Sequence, residues 1–132
     1  MANPNITAVA SIYGNTTYLT PSATSAVVLL ANAAASGTVM KINQIVAANV
    51  NGSAAVNTTV SIYAGSSVTT QGSAPASGVA YPIASVVSVP PNASLIVTDK
   101  TTAIYLTEGQ AITVTSGTAS GITYSISYEL IA

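Results

Sequence analysis

The chain is 132 residues long, enough for one domain, and is 49% hydrophobic but only 4% charged, where an ordinary soluble domain carries about 25% charged residues. Its net charge is −1, it has no arginine, and Lys41 and Lys100 are its only basic side chains, which argues against nucleic-acid or anionic-membrane partners. It has no histidine and no cysteine, so the commonest general base, the thiol nucleophile, disulfides and most transition-metal sites are excluded.

In chain order, Met1-Ala2-Asn3-Pro4-Asn5 lacks the basic and apolar regions of a signal peptide, so synthesis and retention in the cytoplasm are expected. Residues 1–24 read as an N-terminal arm or a first strand. Their short apolar runs, 6–13 and Tyr18-Leu19, are punctuated by Asn3-Pro4-Asn5, Asn15-Thr16-Thr17 and Pro21-Ser22. Residues 25–131 continue in strand-and-turn grammar: Val, Ile, Thr and Tyr recur in short runs between Gly, Pro, Asn and Ser. The alanines of 25–35 admit a helix, but the β-branched pair Val27-Val28 favours a strand over 25–31. A small loop is expected at 33–37.

The run 39–50 starts as an alternation through Met40 and Ile42 and changes phase at Ile45-Val46, which predicts a bulge or burial on both faces. Asn51-Gly52 fits a type I′ turn joining two long strands, and Val56, Thr58, Val60 and Ile62 then share a face. The stretch 65–78 has too little hydrophobic content for a core strand and is expected as an exposed loop or arm. Further strands are predicted at 81–89, 94–98, 103–107 and 111–115, with turns at Pro90-Pro91-Asn92, Asp99-Lys100 and Glu108-Gly109. The clearest strand is 122–130, where Ile122, Tyr124, Ile126, Tyr128 and Leu130 alternate with polar residues.

These eight or nine short strands predict an all-β fold, an antiparallel β-sandwich of immunoglobulin-like or jelly-roll type over 25–132. Tight reversals favour pairing of consecutive strands. Mean hydropathy is +0.58, but the longest apolar stretch, 26–35, is interrupted by Asn32 and is too short for the ~18 residues of a membrane helix. An eight-strand outer-membrane barrel fits the length, yet the missing signal and the lack of Phe and Trp count against it.

Three carboxylates remain, Asp99, Glu108 and Glu129. A pair at the right separation performs glycoside hydrolysis, but Asp99 and Glu108 stand in predicted turns, where a carboxylate is simply solvated. No Ser-x-x-Lys motif activates a serine, and no Asp-x-Asp-x-Asp-Gly loop holds calcium. The seven tyrosines, at 13, 18, 63, 81, 105, 124 and 128, suit a sugar-stacking platform, although filling half-buried sheet surface is the commoner use of Tyr. Sequons begin at Asn5, Asn15, Asn51, Asn57 and Asn92, as chance produces in so Asn- and Thr-rich a chain. The expectation is a non-enzymatic protein without cofactor or metal, and no residue is put forward as catalytic, cofactor-binding or metal-ligating.

The segment Gly37-Thr-Val-Met-Lys-Ile-Asn-Gln-Ile-Val-Ala-Ala-Asn-Val-Asn-Gly52 with Val60-Ser-Ile-Tyr-Ala-Gly65 resembles small virion structural proteins of tailed phages, particularly those of cyanobacteria and marine bacteria. Pro90-Pro-Asn-Ala-Ser-Leu-Ile-Val-Thr-Asp-Lys100, Ile104-Tyr-Leu-Thr-Glu-Gly-Gln-Ala-Ile-Thr-Val-Thr115 and Ser125-Ile-Ser-Tyr-Glu129 follow the same family-like order, so the resemblance runs from residue 25 onward. It rests on hairpin grammar and carries no catalytic residue. It implies a β-sandwich component of the virion: a capsid decoration (cement) protein, as a homotrimer bound to the major capsid protein. A tail, neck or head fibre unit touching the host is the alternative, with a secreted adhesin or surface-layer module third. Low charge agrees with the first reading, because neutral surfaces dock without the desolvation cost of charged groups. Intermolecular contacts are expected from 1–24 and from the 65–78 loop.

Overall fold

The computed structural model describes residues 7–65 and 68–132. The predicted features at 1–6, and Ser66 and Ser67 of the 65–78 stretch, lie outside the described residues. Over the described residues the chain is all-β, as its composition predicts, with nine strands in two antiparallel sheets packed face to face. In order they are β1 (Ile12–Leu19), β2 (Val27–Asn32), β3 (Val39–Asn49), β4 (Val56–Gly65), β5 (Gly78–Val89), β6 (Ser94–Thr98), β7 (Ile104–Leu106), β8 (Gln110–Ser116) and β9 (Ile122–Ile131). A single 3-10 turn, Lys100–Thr102, separates β6 from β7.

One sheet runs β1-β9-β3-β6, with β7 also on β3; the other runs β2-β8-β4-β5. Taken as one interrupted strand, β6 and β7 share an edge of β3. Strand one then pairs with the last, the second with the next to last, the third with the β6–β7 line, and β4 with β5. This is a long hairpin wrapped into two layers, the jelly-roll topology of the two expected. Expected pairing of consecutive strands is therefore corrected: apart from β4 with β5, partners are distant in sequence. Short reversals mark where strands end, but burial of two apolar faces decides which strands meet.

The same distinction overturns the Asn51-Gly52 hairpin. β3 and β4 lie in different sheets, and neither Asn51 nor Gly52 has the positive φ of a type I′ turn. The connection is an arch between layers, organised by Asn49. Its buried Nδ2 donates to the carbonyls of Ala54 (3.0 Å), Val89 (2.8 Å) and Pro90 (3.1 Å), while its Oδ1 accepts from Asn51 N (2.8 Å). At the end of β2 the buried Asn32 does the same. Its Nδ2 donates to Thr38 O and Leu106 O (both 3.0 Å), and its Oδ1 accepts from the Ser36 and Thr38 hydroxyls.

The core lies between the sheets, where Leu29, Ile42, Ile45, Val56, Val60, Ile112, Val114, Ile122, Tyr124 and Ile126 interleave. The alternation of β9 is realised over its first half, with Ile122, Tyr124 and Ile126 fully buried, and lapses beyond it, where Tyr128 and Leu130 are half-buried and Ile131 is buried. The irregularity predicted in β3 is present at the expected step, where the register against β6 shifts between Ile45 and Val46, and a second one against β9 lies two residues earlier. Ile42 faces Tyr128 and Gln44 faces Ser127, leaving Asn43 as the extra residue of a bulge.

One further expectation shifts and another is resolved. The first described strand is 12–19, not 6–13, so Asn15-Thr16-Thr17 lies within β1 rather than breaking it. The stretch after β4 is, over its described residues, the exposed loop of the two alternatives, and it is tied to β2 where the other alternative was a projecting arm. Val68 packs on Val28, Tyr63 and Ala111, Val28 N donates to Ser73 O (2.9 Å), and Gly72 N donates to Val28 O (2.8 Å). Gln71 Nε2 ties it down further, donating to Thr17 Oγ1 (2.9 Å) and Leu29 O (3.1 Å).

Candidate functional site

The three carboxylates are engaged separately. Asp99 caps the 3-10 turn, accepting from Thr101 N (2.9 Å) and the Thr101 hydroxyl (2.5 Å). These bonds, the side-chain one foremost, hold its pKa below the ordinary carboxylate value. Glu108 accepts from Gly37 N (2.9 Å) and so joins the β7–β8 and β2–β3 connections. Glu129 stands opposite Lys41 on the neighbouring strand, 3.8 Å from its Nζ. Among the described residues no three groups of metal-ligating type come together.

The tyrosines divide into filling and surface. Tyr124 lies in the core, donating to Thr115 O (2.9 Å) and accepting from the Thr58 hydroxyl. Burial pushes its phenol up to about 12, against the weaker opposing effect of Thr58. Tyr63 is buried and Tyr128 half-buried, its hydroxyl accepting from Asn15 Nδ2 (3.2 Å). Tyr13, Tyr18, Tyr81 and Tyr105 are exposed, but on three strands in two sheets, and Tyr13 and Tyr18 point to opposite faces of β1. No single stacking platform arises from them.

A shallow depression of about 450 Å³ lies over the first sheet, lined by Gly14, Asn15, Thr16, Asn43, Ser127, Tyr128 and Glu129. The bulge residue Asn43 carries the one buried side-chain oxygen that lacks a hydrogen-bond partner among the described residues. Its open shape and mixed lining favour contact with another surface over enclosure of a small molecule.

What the chain does present is apolar edge. Of the large hydrophobic residues left exposed, Val79, Tyr81, Ile83 and Val86 lie on β5, and Ile12, Tyr13 and Tyr18 on β1, strands that end their sheets and contain no charged residue. The sequence reading did not single out β5 as an edge. The available signal was Pro82, since a proline inside a strand run belongs at a sheet edge. β5 also carries two register shifts against β4, and Val86 sits at φ +49° with its N–H on Thr59 Oγ1 (3.0 Å). Gly78 opens the strand where an added Cβ would fall 2.4 Å from Ala64 O. No family model matches the chain, and no curated protein matches it.

Proposed function

We propose that this protein is a structural subunit of a tailed-phage particle, a capsid decoration protein that reinforces the lattice of the major capsid protein. The observation that carries this reading is the pairing of a hydrogen-bonded jelly-roll interior with a surface that is almost free of charge and apolar along β1 and β5. Such edges gain by being covered, and covering them strands no ion away from water. The tailed-phage assignment rests on the resemblance of residues 25–132 to small virion proteins. Support for a host-contacting fibre is weaker, because the 68–77 segment, the polar loop that would reach a host surface, is bonded down on β2.

Cryo-microscopy of purified particles tests the proposal. Density for this sandwich is expected across the capsid surface, with hundreds of copies per particle by gel densitometry. Density confined to the tail or a fibre, at tens of copies, would reject it.

A further inference from the structure

Four edges close the two sheets: β1 and the β6–β7 line in one, β2 and β5 in the other. Three are obstructed. β2 already exchanges backbone bonds with Gly72 and Ser73. The β6–β7 line is broken by the 3-10 turn into strands of five and three residues. β5 is kinked by its register shifts, and Pro82 removes a donor. Among the described residues β1 alone of these edges runs eight residues in unbroken register, against β9, with no proline and no charge.

The phase of its hydrogen bonding is fixed by the reciprocal pair at its start, Ala132 N to Ser11 O (3.0 Å) and Ser11 N to Ala132 O (3.2 Å). Odd-numbered residues therefore turn their N–H and C=O groups toward β9, and Ile12, Gly14, Thr16 and Tyr18 turn theirs outward. Two of these outward groups are held by side chains: Asn15 Oδ1 accepts from Thr16 N (2.8 Å), and Gln71 Nε2 donates to Tyr18 O (3.3 Å).

We propose that β1 pairs antiparallel with β1 of a second copy, about a twofold axis at Asn15, fusing the two sheets into one. In this register Ile12 stands opposite Tyr18 of the second copy and Gly14 opposite Thr16, so all four outward-facing residues find a backbone partner. Ile12 and Tyr18, 57% and 74% exposed, share the outer face and cover each other at both ends. A Cβ added at Gly14 would meet nothing within 4 Å, so the face of the strand's middle carries no bulk above it. The occupant is a second copy because the strand is its own complement: neutral, with an Ile–Tyr pair at each end and Asn15 against Asn15 at the centre. Asn15 and Gln71 exchange their local bonds for the new ladder. The inference goes beyond the decoration reading and is tested on the isolated protein, so either can fail alone.

The natural chain has no cysteine, which permits single-thiol mapping. Across the axis, residues 15 and 15 form a non-hydrogen-bonded pair with Cα atoms about 4.5 Å apart, within disulfide reach. On mild oxidation Asn15→Cys is expected to give a covalent dimer, and Tyr13→Cys mixed with Thr17→Cys a covalent heterodimer, while Ser85→Cys on β5 stays monomeric. In sedimentation on chains without cysteine, Ile12→Lys should weaken self-association by about tenfold or more, and Ile12→Lys with Tyr18→Glu should recover it, since that pair then meets as opposite charges. Cross-linking of Asn15→Cys no faster than of Ser85→Cys, or a double variant no tighter than Ile12→Lys alone, overturns the proposal.

Discussion

The ends of this sandwich and its edges follow opposite rules. At the ends, Asn32 and Asn49 are buried, and both amides are saturated: each Nδ2 by carbonyls, the Asn32 Oδ1 by two hydroxyls and the Asn49 Oδ1 by the Asn51 N–H. Along β1 and β5 the chain leaves large apolar side chains in water. An ordinary domain uses charge in both places: ion pairs to fix its loops, and edge lysines to repel neighbours. With 4% charged residues, this one fixes its interior with neutral amides and carries no charge on either of these edge strands. The contrast shows that a low-charge protein can hold its interior with fully bonded polar groups while leaving apolar side chains uncovered along its edges.

The largest expected blow to this division is Asn49→Ala. Three carbonyls lose their donor and Asn51 N its acceptor, and stability should fall by about 3 kcal/mol, read as a lower urea midpoint at unchanged slope. Tyr124→Phe should cost about 1–2 kcal/mol, because Thr115 O loses a buried partner and the Thr58 hydroxyl loses its acceptor. It also has a pH signature. The folded phenol titrates near 12 and the ordinary phenol near 10, so the wild-type protein keeps this contribution below pH 10 and loses it as pH rises from 10 through 12. The Phe variant should lack that alkaline step in pH-dependent unfolding.

On the edges the effects should be smaller and of mixed sign. Val86→Gly removes a β-branched residue from the left-handed region on an exposed strand, and a gain of up to about 1 kcal/mol is expected in thermal unfolding. Lys41→Met and Glu129→Gln should each stay within about 0.5 kcal/mol, since the partners of this ion pair are 27% and 34% exposed. A larger loss there would break the claim that charge does little to hold the molecule together.

The fold class was legible because a half-buried strand writes its two faces into the sequence at period two, as β9 does. β1 was placed too early for the complementary reason. It is an edge strand with most residues in water, so Asn15-Thr16-Thr17 carried no apolar alternation and looked like punctuation. The Asn51-Gly52 dipeptide was over-read, because local turn chemistry is blind to whether the next strand continues the same sheet or crosses to the other. The 68–77 segment is the loop its polar composition predicts, but its anchoring was not legible: Gln71 reaches β1 and β2 with a single amide. At the candidate site, sequence composition exposed the scarcity of chemistry, but which apolar residues stay uncovered depends on the edges, and edges exist only once the sheets are ordered.

The wrapped-hairpin order also sets a timetable. β9 lies between β1 and β3, pairing with both, although it leaves the ribosome after every strand it joins. Until it arrives, β1 has no neighbour in its sheet and the inner faces of Ile42 and Ile45 have no lid from Ile126 and Tyr124. β8 imposes the same wait on β2 and β4. Sheets that close through such distant partners fold slowly, so during translation the low charge leaves long apolar segments unguarded. A nascent chain arrested before Ile122 should be protease-sensitive across both layers, and release of about ten more residues should convert it in a single cooperative step.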